Sequence, residues 1–176
     1  MVYNVALGGE KWVKVGEGNP ISPECELKVG KLEPMFLGEF SHTIDEKGRL
    51  TLPSKFRADF AAGLIVTRGI DKCLFAFPLA EWHQLAQRVS SLPLTEPQAR
   101  EFRRLLFSGA SDGVPDKQGR VLIPQYLREY ANLDGEVIVA GLNTHIEMWS
   151  PAAWREARRG FESGALNNEH WARLGI

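Results

Sequence analysis

Two stretches of this chain set the same chemistry-bearing residues in the same order. Asp45-Glu46-Lys47-Gly48-Arg49-Leu50-Thr51-Leu52-Pro53-Ser54-Lys55-Phe56-Arg57 is echoed, seventy-one residues on, by Asp116-Lys117-Gln118-Gly119-Arg120-Val121-Leu122-Ile123-Pro124-Gln125-Tyr126-Leu127-Arg128. A guanidinium placed just after a turn glycine suits two kinds of acceptor, because its planar fork donates two parallel hydrogen bonds to a phosphate or to N7 and O6 of guanine. Lys47 and Lys117 add compact positive charge that is less demanding of geometry. Asp45 and Asp116 suit the turn itself, since an Asp side chain accepts backbone N–H bonds a few residues on and glycine takes positive φ without a Cβ clash. An arginine at a hairpin mouth can also pair with the turn's own aspartate. A lone Asp-x-x-Gly-Arg is a weak signal. The doubled Asp-x-x-Gly-Arg-φ-x-φ-Pro-x-x-φ-Arg, with φ apolar, is a specific one and marks a duplicated module.

Other chemistry does not assemble from the sequence. His42, His83, His145 and His170 have no counterpart in the other repeat, and a hydrolase built on Asp45 and Asp116 as an acid–base pair would need a cleft that nothing in the pattern indicates. Cys25 and Cys73 stand far apart, without a CxxC or a His at ligand spacing, so neither a disulfide framework nor a zinc site is indicated. No catalytic residue, metal or cofactor is expected. No apolar run approaches the roughly twenty residues of a membrane span, and the start lacks the pattern of a signal peptide. The formal net charge of −1 gives no bulk signal for nucleic acid. Placement does: residues 45–57 carry four cations against two acids, and residues 116–128 three against one.

The elements that must position these residues also repeat. Phe36 to Ile44 and Leu50 to Leu52 flank the first turn as a hairpin, followed by a short helix over Ser54 to Ala62 that opens at Pro53 and stops at Gly63. Leu64–Thr67 and Leu74–Phe77 form a second hairpin, and Leu79 to Val89 a helix with Trp82, Leu85, Ala86 and Val89 on one face. Val137-Ile138-Val139 answers Leu64-Ile65-Val66, Trp149 answers Phe77 and Trp154 answers Trp82. The fold class is α+β, with 44% apolar residues to fill a core and two small copies that need each other's surface. Residues 1–34 read as a poorly ordered extension, 35–90 as the first repeat, 91–109 as a helical connection carrying Arg100, Arg103 and Arg104, 110–161 as the second repeat and 162–176 as a tail.

Met35-Phe36-Leu37-Gly38, the two Asp-x-x-Gly-Arg turns and the Pro53 and Pro124 positions resemble the MraZ family of bacterial transcriptional regulators, over about residues 35 to 161. That family is similar to AbrB-type proteins. The resemblance implies a duplicated swapped-hairpin β-barrel with peripheral helices, a pseudo-dimer in one chain. It implies binding of double-stranded promoter DNA at tandem repeats upstream of the division and cell-wall gene cluster, as a cytoplasmic, nucleoid-associated repressor. Several chains are expected to close into a ring, with no membrane or small-molecule partner. The DNA-binding residues would be Lys47, Arg49, Lys117 and Arg120, and the turn-forming ones Asp45, Gly48, Asp116 and Gly119. Residues 1–34 have no counterpart in the family, which suggests Met35 as the native start. Gln118 stands where the first repeat has Lys47, so the two turns are unequal. A second reading is an AbrB-like, antitoxin-type module whose helices hold a protein partner.

Overall fold

The computed structural model describes residues 3–7, 11–15 and 35–162. Residues 1–32 and 33–176 are separate units. In the first, β1 (Tyr3–Leu7) and β2 (Lys11–Val15) pair antiparallel, with Tyr3 opposite Val15 and Val5 opposite Val13. Of the stretch read as a poorly ordered extension, these two strands are the described part. Tyr3, Val5 and Leu7 alternate in β1 but Trp12 and Val13 are adjacent in β2, so no period of 2 stands out from the glycine- and charge-rich surroundings. Residues 8–10, 16–34 and 163–176 lie outside the described residues, and with them Cys25, His170 and almost all of the expected tail.

In the second unit the first repeat contains β3 (Phe36–Thr43), β4 (Arg49–Thr51), a 3-10 turn at Ser54–Phe56, β5 (Leu64–Arg68), β6 (Leu74–Pro78) and α1 (Leu79–Ser90). After α2 (Pro97–Ser108) the second repeat supplies β7 (Ser111–Gly113), β8 (Arg120–Leu122), α3 (Gln125–Tyr130), β9 (Glu136–Asn143), β10 (Ile146–Trp149) and α4 (Pro151–Glu162). Six strands make one antiparallel sheet in the order β3-β9-β10-β6-β5-β7, and β4 pairs with β8 as a separate ribbon.

The order has an internal twofold character. β3 of the first repeat pairs along its whole length with β9 of the second, Phe36 opposite Asn143 through Thr43 opposite Glu136. β7 of the second repeat pairs with β5 of the first. The two hairpins β5–β6 and β9–β10 meet where β6 pairs with β10. Each repeat thus lends its first strand to the other repeat's hairpin.

Three expectations change. The sheet is open, with β3 and β7 as its edges, and not a closed barrel among the described residues. The hairpin across the first turn is closed only by the Ile44–Leu50 bridge and the bonds of the turn; both flanking strands then leave to pair with the other repeat. The helix over Ser54 to Ala62 is reduced to one 3-10 turn and a run of further turns. Phe56 and Phe60 explain the shortening, since both are driven into the core around Phe36, which stacks on Phe60 at 4.9 Å and meets Phe56 edge-on at 5.1 Å.

The core is drawn from both repeats. Leu50, Leu52 and Phe56 join Val121, Ile123 and Leu127, the same motif positions in each copy, and all six are at most 1% exposed. Phe77 with Trp82 (6.1 Å) and Trp149 with Trp154 (5.6 Å) form matched aromatic pairs at the bases of α1 and α4. Arg100 and Arg103 of α2 are spent on backbone. Arg103 Nε and Nη2 donate to the carbonyls of Val89 and Ser90 at the end of α1, and Arg100 Nη1 donates to those of Leu94 and Thr95. The bonds from Arg103 satisfy carbonyls that a helix end leaves open, and those from Arg100 hold the loop before α2.

Replacing Phe36 with Ala removes the ring at the centre of this cluster and leaves a cavity, so the unfolding free energy should fall by about 3–5 kcal/mol. Urea denaturation followed by tryptophan fluorescence measures it, and a loss under 1 kcal/mol would mean that Phe36 is not the centre of the core.

Candidate nucleic-acid interface

Both turns are built alike, bond for bond. Asp45 Oδ1 accepts the backbone N–H groups of Lys47 (3.0 Å) and Arg49 (2.9 Å), and Asp116 Oδ1 those of Gln118 (2.9 Å) and Arg120 (3.0 Å). The glycine N–H donates to the aspartate carbonyl at 2.8 Å in each. Gly48 and Gly119 take φ of +77° and +75°, the left-handed region that glycine enters without steric cost.

Each arginine then turns back on its own aspartate. Arg49 Nε and Nη2 lie 2.8 and 2.6 Å from Asp45 Oδ2; for Arg120 and Asp116 the distances are 2.8 and 2.7 Å. The pairing within the turn, one of the roles open from the sequence, is therefore formed in both copies. It does not bury the arginines: their side chains keep 30% and 27% of their surface exposed. The hydrogen bonds from Arg49 hold the Asp45 carboxyl below its usual range, and those from Arg120 bring Asp116 down to about 2.

The ribbon joins the two turns. Arg49 stands opposite Leu122, Leu50 opposite Val121 and Thr51 opposite Arg120. Leu50 and Val121 are buried, so strand alternation places Arg49, Thr51, Arg120 and Leu122 together on the outer face. The two arginines sit on its diagonal, about 7–8 Å apart by strand geometry. Because the strands run antiparallel, the turns mark opposite ends of the ribbon, each with an exposed lysine, Lys47 at one and Lys117 at the other.

Two arginines that sequence reasoning left out of the site hold it in place. Leu52 N–H donates to the Gly119 carbonyl and Ile123 N–H to that of Gly48, both at 2.8 Å, so each strand continues onto the other repeat's turn. Arg57 Nε donates to the Leu52 carbonyl (3.0 Å) and Arg128 Nε to that of Ile123 (3.1 Å). Their side chains cover the glycines: a Cβ on Gly119 would collide with Arg57 Nε, and one on Gly48 would lie 3.0 Å from Arg128 Nε. The signal was in the repeat, as both arginines recur in register at its last position. His42 also lies close to this region, and burial followed by the charge of Arg57 lowers its pKa.

The remaining titratable candidates stand elsewhere. His145 stacks on Phe77 (4.7 Å) and meets Phe75 edge-on, and burial lowers its pKa. His83 Nδ1 lies 2.7 Å from the Leu79 carbonyl on α1. Cys73 is buried, which pushes its thiol up to about 12. Among the described residues no group of three or more His, Cys, Asp or Glu is placed to hold a metal ion, and no helix is long and apolar enough to cross a membrane.

Comparison with known proteins agrees with the duplication. The family model described as "MraZ protein, putative antitoxin-like" matches twice, over residues 35–105 and 106–170. The chain belongs to the MraZ family. It is 50% identical over 131 residues to a protein of Roseiflexus sp. (strain RS-1), covering 74% of this chain and 92% of that one. It is 49% identical over 144 residues to one of Herpetosiphon aurantiacus, covering 81% of this chain and the whole of that one. Both relatives are named transcriptional regulator MraZ, so the family is one of transcriptional regulators.

Two outcomes check this geometry. Gly119→Ala should destabilise the fold by about 1–3 kcal/mol through its left-handed backbone, with a further loss from displacing Arg57. Gly48→Ala should cost less, and in an Arg57→Ala background the Gly119→Ala penalty should shrink; equal penalties in both backgrounds would refute the contact. Asp116 has its folded pKa depressed from 3.8 to about 2. Its stabilisation is therefore complete above pH 4 and lost as the pH falls through about 2. Carboxyl 13C shifts should show that low midpoint in the wild type and a return toward 3.8 in Arg120→Gln.

Proposed function

We propose that this chain is a sequence-specific DNA-binding transcriptional regulator without enzymatic activity, and that the β4–β8 ribbon is its reading element. One observation carries the reading: the two Asp-x-x-Gly-Arg turns, distant in sequence, form the two ends of a single ribbon whose outer face displays Arg49 and Arg120. A two-stranded ribbon fits the major groove, which is about 12 Å wide. The diagonal separation of the arginines corresponds to about two base-pair steps of about 3.4 Å. Lys47 and Lys117 flank them as backbone contacts, which position the protein without reading sequence. The aspartates hold each guanidinium in one direction before DNA arrives, which lowers the ordering cost of binding.

In this reading the chain acts in the cytoplasm at the nucleoid, as a repressor on tandem promoter repeats upstream of the division and cell-wall gene cluster. Exchange of first strands between repeats supports an AbrB-like origin, with the two halves standing for two swapped subunits. Several copies arranged as a closed ring would each offer one ribbon. After the first contact the others bind at raised effective concentration, so affinity climbs steeply with the number of repeats in the duplex. The antitoxin-like description of the family favours a second reading, a module that holds a protein partner. The exposed Leu92 and Leu94 between α1 and α2 are the surface it would use. A stoichiometric protein partner, together with equal binding to all duplexes, would select it.

The direct test is a titration of labelled promoter duplexes carrying one, two or more repeats against a scrambled duplex. Arg49→Ala should weaken binding to the repeats by about 5- to 150-fold per engaged base contact, with flatter sequence preference. Arg49→Lys, which keeps the charge and loses the fork, should hold random DNA as the wild type does and still lose discrimination. Binding should also weaken with added salt in proportion to the phosphates neutralised. Undiminished discrimination in both variants would remove Arg49 from the interface.

A further inference from the structure

The outer face of the ribbon holds one residue that the charge reading does not use. Leu122 is 60% exposed, on a face otherwise made of Arg49, Thr51 and Arg120. A single exposed leucine is ordinary on a protein surface, so position decides its meaning. The register puts Leu122 directly opposite Arg49, and the buried Val121 before it and Ile123 after it fix its side chain on the outward side. A side chain so placed lies at the level of whatever Arg49 contacts.

The repeat supplies a comparison within the molecule. Arg49 corresponds to Arg120, and Thr51 to Leu122. The arginines are the same in the two halves and the residues beside them are not: a short hydroxyl-bearing side chain in one, a purely apolar one in the other. The tips differ as well, Glu46-Lys47 against Lys117-Gln118. The two halves of the ribbon therefore present different outer surfaces.

Resting on the reading that this ribbon enters a major groove, we infer that Leu122 is a specificity-determining residue that packs against the C5 methyl group of a thymine. The major-groove edge of the four base pairs offers hydrogen-bonding groups everywhere and one apolar group, the thymine methyl, which apolar side chains recognise by contact. Leu122 has no donor or acceptor for any other edge. Most of its surface is also open in the free protein and accessible to a ligand. The preference it creates falls on one side of the ribbon's twofold axis, so the site is asymmetric.

Substituting uracil for thymine removes that methyl and nothing else, which gives a direct test. Duplexes selected from a random library by the full-length chain would be resynthesised with thymine replaced by uracil, one position at a time. For the wild type, one replacement should weaken binding about three- to fivefold, the range expected for burial of a single methyl group. Leu122→Ser should bind thymine and uracil equally at that position, with an unchanged thermal midpoint and an unchanged response to the other bases. Indifference of the wild type to uracil at every thymine, or survival of the effect in Leu122→Ser, would overturn the assignment while leaving DNA binding intact. Failure of the selection to enrich any sequence would instead remove the DNA reading itself, and this inference with it.

Discussion

The structure depends on a reciprocal clasp between its two halves. Neither Asp-x-x-Gly-Arg turn is completed by its own repeat: the glycine carbonyl of each receives an N–H from the other's strand, and each glycine is covered by the other's arginine, Arg57 or Arg128. Leu50 and Val121, one from each copy, close the ribbon from beneath. A single repeat would expose its own member of that apolar pair, leave two strands without ladders and lose the cover on its turn. These contacts are long-range in sequence, so their loop-closure cost falls on the pairing of whole repeats and not on local hairpins.

The ion pairs within the turns have a different task. At more than a quarter exposed they contribute little to stability, as surface pairs do. What they fix is direction. Nε and Nη2 of each guanidinium are committed to the aspartate, while about a quarter or more of each arginine side chain stays exposed. An aspartate that also accepts two backbone N–H groups cannot shift without opening the turn, so the arginine inherits the rigidity of the hairpin. Side-chain order on the outer face of the ribbon is gained in this way without a buried charge.

Much of this was legible in the residues. The aspartate and glycine spacing gave both turns, and the β-branched and aromatic runs gave β5, β6, β9 and β10, since these signals are local. The partners of the strands were not legible. Nothing in Phe36 to Thr43 says that its ladder lies on residues 136–143 of the other copy, because pairing is decided by the packing of both copies together. The short helix at Ser54 failed for a related reason: two phenylalanines needed in one core overrode local propensity. Arg57 and Arg128 were visible as repeated positions, yet their work on the opposite turn belongs to the assembled fold. The role of the cationic helix 97–108 was not legible either, because the backbone carbonyls that Arg100 and Arg103 serve are set by the folded chain.

The two copies also differ where the sheet ends. β3 is an eight-residue edge, whereas β7 spans three, because the residues matching the first half of β3 are taken up by the end of α2 and the bend after it. A sheet edge is a row of unsatisfied donors and acceptors that invites another strand. Equal borders would let such a molecule grow from either flank; here one flank is long and the other nearly abolished. Unequal borders give the sheet of a duplicated unit a front and a back.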